Sequence, residues 1–192
     1  MNMYYKIMNR MLPEILAKTK AHQILNFLTL HPDKSFYDKE ISERADVSRG
    51  ATNQILNDFF KNNLVMREKR GKAWFYTLRD QPLIKYFRIY ENLVQLAELV
   101  NNLQPVARRI VLYGSAAQGT DTSDSDIDLF ILTDDRESVN KTVHNFASDR
   151  EIKPVVESPV DFAVAQSKDK AFFDQVARGI VLYEKEADEQ RF

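Results

Sequence analysis

Apolar residues follow two rhythms along this chain, and the switches between them mark out its elements. From Leu12 to Leu30 they stand at 12, 15, 16, 24, 25, 27, 28 and 30, a helical spacing with a break near Thr19. Lys39 to Ala45 reads as a short helix behind Asp38, an N-capping residue type. After the turn Asp46-Val47, Ser48 can cap a further helix to about Asn62, in which Ala51, Ile55 and Phe59 recur every four residues and face inward. Leu64–Lys69 and Ala73–Leu78 are strand-like runs joined by Arg70-Gly71-Lys72, which predicts a hairpin with a cationic tip. Pro82 to Leu103 has apolar positions at 83, 84, 87, 93, 94, 96, 99, 100 and 103, a long amphipathic helix that Pro82 opens and Gln104-Pro105 ends.

Behind that helix the rhythm shortens. Ile110-Val111-Leu112-Tyr113 is β-branched and aromatic, is stopped by Gly114, and predicts a buried strand. Asp126 to Leu132 predicts a second strand, and Pro159 to Ala165 a further strand-like run that holds one charge, Asp161. Arg136–Ala147 and Lys168–Arg178 predict surface helices, and Ile180–Tyr183 a closing strand. The fold class expected is α+β.

With 192 residues, of which 44% are hydrophobic and 11% aromatic, the chain can bury a core in each of two small domains. Charge is lopsided: residues 1–80 hold 14 Lys and Arg against 9 Asp and Glu, and residues 81–192 hold 13 against 19. The front leans toward polyanions and the back toward cations. There is no cysteine, which excludes disulfides and thiolate metal sites, and the histidines at 22, 31 and 144 have no zinc spacing. No apolar stretch reaches membrane-spanning length and Met1–Arg10 lacks a signal peptide's apolar core, so a cytoplasmic protein without membrane attachment is expected.

Candidate chemistry sits between the first two strands of the back half. Gly114 permits a sharp turn and close backbone approach to an anion, and Ser115 adds a hydroxyl and an N–H. A helical turn at Ala116–Gln118 would aim further N–H groups at negative charge. Asp126 and Asp128 alternate along a strand, so both point to one face; such a pair raises the pKa of one member unless a cation intervenes. Magnesium suits that place because it takes one or two carboxylates and fills its shell with water and phosphates. A third carboxylate would hold a second ion, and Asp161 is the candidate, with Glu157 the alternative should the register differ by a few residues.

Gly114-Ser115, Gly119, Ser125-Asp126-Ile127-Asp128-Leu129 and Val160-Asp161-Phe162 resemble the minimal nucleotidyltransferases of the DNA polymerase beta superfamily, over roughly residues 108–184. The resemblance implies a mixed sheet flanked by helices, a nucleoside triphosphate substrate and two Mg2+ or Mn2+ ions. It implies Asp126, Asp128 and Asp161 as catalytic metal ligands, with Gly114, Ser115, Gln118 and Ser125 on the nucleotide. Many members carry Arg or Lys where this chain has Gln118, so a phosphate-facing cation of the family is missing. Relatives include antitoxins that modify a partner toxin, which adds a protein such as a cognate toxin to the acceptors to consider.

The front half resembles a winged helix-turn-helix domain. By position, Ser48, Arg49, Asn53, Gln54 and Asn57 would read double-stranded DNA, and Lys69, Arg70 and Lys72 would hold its backbone. Such domains also serve as docking or dimerisation modules. The expected organisation is a winged helix-turn-helix at 12–80, a linker helix at 81–104 and a nucleotidyltransferase domain at 105–185. The linker helix packs on its own domains or pairs with its counterpart in a homodimer. Two functions follow. One is transfer of a nucleotide monophosphate to an acceptor hydroxyl, coupled to DNA binding. The alternative is a DNA-binding transcriptional regulator whose nucleotidyltransferase fold only senses nucleotide or is inactive.

Overall fold

A computed structural model of the chain describes residues 19–185, with eight helices and two sheets among them. They divide into two compact units that meet between Arg88 and Ile89. The stretch before Thr19, including the start of the expected helix at Leu12, lies outside the described residues.

In the first unit the break expected near Thr19 is a helix start. Thr19 caps α1 (Lys20–Thr29), its hydroxyl accepting from the His22 N–H at 3.1 Å. The short strand β1 (Phe36–Tyr37) leads into α2 (Asp38–Arg44), which begins one residue earlier than expected. Asp38 is therefore inside the helix rather than its cap. Ser48 holds the N-cap position of α3 (Arg49–Lys61), but its side chain makes no capping bond. The buried stripe of α3 is Thr52, Leu56 and Phe59, with Ala51 and Ile55 only partly covered. Thr52 can take a core position because its hydroxyl donates back to the Ser48 carbonyl at 3.1 Å. The hairpin forms as expected, with β2 (Val65–Arg70) antiparallel to β3 (Ala73–Leu78) and Gly71 at φ +62° in the turn. β1 adds to the other side of β3, and the sheet order is β1-β3-β2. Ile24, Leu28, Ile41, Leu56 and Val65 are wholly buried between helices and sheet.

The helix α4 (Pro82–Leu103) has the bounds that its apolar spacing predicts. Ile84 belongs to the first unit's core, while Leu96, Leu99, Val100 and Leu103 belong to that of the second. No helix among the described residues is long and apolar enough to cross a membrane.

The second unit is built on a four-stranded sheet ordered β6-β5-β4-β7: β4 (Ala107–Tyr113), β5 (Ile127–Thr133), β6 (Ile152–Glu157) and β7 (Ile180–Glu184). β4 is antiparallel to β5 and β7, and β5 is parallel to β6. Alternation along the strands supplies two apolar faces. Ile110, Leu112, Ile127, Leu129 and Ile131 meet the end of α4 and Val139 and Val143 of α6 (Arg136–His144). Val111, Tyr113 and Phe130 meet Phe162 of α7 (Pro159–Lys168) and Phe173 and Val176 of α8 (Lys170–Ala177).

One element contradicts its sequence reading. Pro159–Ala165, expected as a strand, is the first part of α7. Ser158 accepts from the Asp161 N–H at 3.1 Å, Pro159 fits the first turn where no N–H is needed, and Asp161 adds negative charge at the helix's positive end. Ser-Pro-x-Asp is a helix-start signal, and the apolar letters after it are helical because of it.

Candidate functional site

The site grows from the corner where β4 ends. In the antiparallel register Tyr113 stands opposite Asp128, and the chain turns at once through Gly114 into a single helical turn, α5 (Gly114–Gln118). Gly114 has φ +70°, and a Cβ there would collide with the Asp128 carboxylate. Glycine is thus required for the backbone conformation and for the space that the aspartate occupies. Gly119 ends the turn in a left-handed conformation, φ +66°. Gly114→Ala is expected to lower the Tm of the second unit, since the new methyl must move Asp128 and a left-handed alanine costs roughly 1–2 kcal/mol. Calorimetry of the variant beside the parent protein measures it.

Behind the turn lies a buried polar network that sequence reasoning missed. Asn92 on α4 donates through Nδ2 to the Ala116 carbonyl and to Asp121 Oδ1, both at 3.0 Å. Arg150 bridges Asp121 Oδ2 at 2.5 Å and Asn92 Oδ1 at 2.6 Å, with both ionic side chains almost fully buried. The helix, the turn and the approach to β5 are pinned to one another by these bonds. The signal in the sequence was weak: Asn92 shares its helix face with the polar Arg88 and Gln95, and Arg150 is one of three charges in a row at 149–151.

From Asp121 the chain makes a turn closed by Ser125. The Ser125 hydroxyl accepts from the Thr122 N–H at 2.9 Å, and the Ser125 N–H donates to the Thr122 carbonyl at 3.1 Å. Ser125, expected on the nucleotide, is thereby used to shape the loop. Gln118 is exposed, and Ser115 is partly covered at the start of the turn. Asp126 and Asp128 follow, two apart and on one face. Burial pushes the Asp128 carboxyl above the usual range, the charge of Asp126 adds to this, and Lys153 works against it. Burial also raises the Tyr113 hydroxyl, with Asp128 contributing.

Asp161 does not join the pair. It sits on α7, its carboxylate accepting from Ser158 at 2.8 Å and from Arg136 at 2.6 Å. Glu157, the alternative, stands beside Leu132 and also accepts from Arg136, at 2.8 Å. From the level of Asp128 to that of Leu132 is roughly 13 Å along the strand at about 3.3 Å per residue. Both acids belong to the far end of the sheet, and the residue beside Asp128 on β6 is instead Lys153, whose ammonium reaches Asp126 Oδ2 at 2.5 Å. Among the described residues no group of three acidic or histidine side chains could hold a metal ion. Two carboxylates on one face do fit a single magnesium completed by substrate phosphates.

In the first unit most of the expected DNA-reading side chains are already engaged. Arg49 donates to Asp38 at 2.8 Å, and the Asn53 side chain also bonds Asp38, which holds that carboxyl below its usual range despite burial. Asn57 accepts from Arg67 at 3.1 Å. Arg67, not singled out in the sequence, lies over the rings of Phe60 at 4.0 Å and Trp74 at 4.7 Å. Ser48, Gln54, Lys69 and Lys72 are exposed, as is Arg70, which bonds Glu68 at 2.8 Å.

Residues 94–188 match the family model described as polymerase beta, nucleotidyltransferase, and this match suggests nucleotidyl transfer. No curated protein matches the chain. Among solved structures, the chain is similar to reduced HlyU from Vibrio cholerae N16961 at 25% identity and a TM-score of 0.35, over 47% of this chain and 94% of that one. It is also similar to TrmBL2, an archaeal chromatin protein described with a novel mode of DNA binding, at 14% identity and a TM-score of 0.31, over 86% of this chain and 76% of that one. TM-scores this low leave the fold assignment to the geometry above.

Proposed function

We propose that the second unit is a nucleotidyltransferase that moves a nucleotide monophosphate from a nucleoside triphosphate to an acceptor hydroxyl. The observation that carries this reading is the meeting of the Gly114 turn with the Asp128 carboxylate, beside Asp126, inside a segment that matches the polymerase beta family model. Asp126 and Asp128 would hold a divalent ion, which when bound neutralises charge on the phosphates. Gly114 brings the backbone close to the ligand, and Ser115 offers its N–H and hydroxyl to a phosphate oxygen. Asn92 and Arg150 keep the turn in place without touching substrate. In the transfer the acceptor oxygen bonds the α-phosphorus as the bond to pyrophosphate breaks, and the acceptor proton leaves to a carboxylate or to solvent. Asp161 has no part in this scheme.

The test is incubation of the full chain with each of the four triphosphates, labelled at the α-phosphorus, with magnesium and with a chelator in its place. Label that reaches protein, RNA or a small acceptor only when magnesium is present supports the reading. Absence of magnesium-dependent transfer and of magnesium-dependent nucleotide binding rejects it.

The first unit supports a DNA-binding role alongside the transferase. Two short helices, a third with polar groups on its exposed side, and a basic hairpin follow the order of a winged helix-turn-helix. In this reading Arg49 and Asn53 of α3 leave Asp38 for base edges, and Lys69, Arg70 and Lys72 contact phosphates. The triple variant Lys69→Ala, Arg70→Ala, Lys72→Ala is expected to bind duplex more weakly. Its log-affinity against log-salt slope should be shallower by about 2–3, near 0.9 for each phosphate that the hairpin no longer neutralises. Fluorescence anisotropy across a salt series reads both effects. An unchanged slope would return the hairpin to the status of a solvated sheet edge.

A further inference from the structure

The acid set of this site is one member short, and a cation of the chain's own stands at the gap. β5 and β6 run parallel with Asp128 beside Lys153, so the two side chains leave the same face of the sheet. Asp126, two residues before Asp128, points the same way and takes the Lys153 ammonium at 2.5 Å. A carboxylate at Lys153 would have completed a three-acid cluster on two neighbouring strands. The next acid on that strand's approach is Glu151, whose carbonyl accepts from the Ile127 N–H at 2.9 Å and whose side chain is exposed. Glu157 and Asp161 are committed to Arg136 at the far end.

A second divalent ion beside the first would need that missing carboxylate and would have to sit against a fixed positive charge, which opposes it at this range. A lysine there repeats part of what a second ion would do: it balances the aspartate pair and leaves positive charge facing the phosphates. It also offsets the absence of a cation at Gln118. The residues therefore fit one divalent ion and do not fit two.

We propose that this site holds a single divalent ion, shared by Asp126 and Asp128 with the nucleotide's phosphates, and that the Lys153 ammonium stands in the place of a second. This rests on the nucleotidyltransferase reading above. It alters the electrostatics of that reading: one charge at the site is permanent, set by the sequence, and does not depend on metal concentration. A Lys153→Glu variant would recreate the acid cluster and with it the second ion site.

Native mass spectrometry of the full chain, with Mn2+ and the α,β-methylene analogue of each of the four triphosphates, counts metal ions in the nucleotide-bound species without any turnover. The Asp126→Asn, Asp128→Asn variant gives the background of adventitious ions. The parent is expected to carry one Mn2+ per bound nucleotide, Lys153→Glu two, and Glu151→Gln one. Two ions in the parent, or one in Lys153→Glu, would overturn the inference while leaving the transferase reading intact. A loss of one of two ions in Glu151→Gln would overturn it by identifying Glu151 as the missing ligand. No analogue and no Mn2+ above background in the parent would bring down the transferase reading itself, and the inference with it.

Discussion

Asp128→Asn is expected to abolish nucleotide transfer and to make the unliganded protein more stable, two effects of opposite sign from one substitution. On the transferase reading proposed above, Asp128 would hold a divalent ion, and losing that carboxylate would remove several kcal/mol of charge stabilisation at the reacting phosphate, a fall in kcat/KM of roughly a thousandfold. The gain in stability has its origin in burial and in Asp126, which together push the Asp128 carboxyl above its usual range. For an acid whose folded pKa is raised, the folded state holds its proton more tightly than the unfolded chain does. Its contribution to stability is therefore intact below the ordinary aspartate value of about 4 and is lost as pH rises through the higher folded value. At neutral pH the parent carries this charge at a cost, and asparagine removes it. The Tm of the variant should exceed that of the parent at pH 7, and the difference should vanish as pH falls below about 4. Thermal melts across pH without metal or nucleotide measure the stability side, and labelled transfer the other. A variant less stable than the parent at pH 7 would mean that the Asp128 carboxylate is satisfied by its neighbours, Lys153 above all, and is not held in reserve for a ligand.

That the site could be seen at all in the letters is due to its being local. Gly114 and Ser115 follow β4 directly, and Asp126 and Asp128 stand at the start of β5, the next strand in sequence and its antiparallel neighbour, so the spacing along the chain carries the geometry. Boundaries of α4 were legible for the same reason: Pro82 is a local start signal and the Gln104-Pro105 pair a local stop signal. Two kinds of reading failed, those that overlooked a short local signal and those that needed a long-range partner. Asp161 stands in an apolar run that fits a strand or a helix equally well, and the short Ser158-Pro159 start signal decides it. β6 has Lys153 and Pro154 in it and breaks the strand pattern, yet as an edge strand it tolerates the proline. Its register against β5 puts a lysine where an acid was expected, and no spacing rule reports a register. The inward face of α3 is off by about one position because Thr52 counts as polar in the pattern, whereas its hydroxyl is satisfied within its own helix and the residue is buried.

The Asp121–Arg150 pair was equally hidden, and its removal should show how much of the site is held from behind. Arg150→Met removes the buried guanidinium that bridges Asp121 and Asn92, and breaking a buried ion pair typically costs about 3–5 kcal/mol. At roughly 4 °C or more per kcal/mol for a domain of this size, the Tm of the second unit should drop by more than about 10 °C in calorimetry. Pairing it with Asp121→Leu should recover a large part of that loss, because no half of a buried ion pair then remains; additive losses would mean that the two ions do not depend on each other. Recovery of stability need not restore function. Asp121 also accepts from Asn92, and Asn92 holds the Ala116 carbonyl, so the double variant regains its fold with the Gly114–Gln118 turn less firmly placed. Its nucleotide affinity should stay below that of the parent even where the melts nearly coincide. Should affinity return together with stability, the network would be a packing solution alone, and the turn would owe its position to Gly114 and the β4–β5 register.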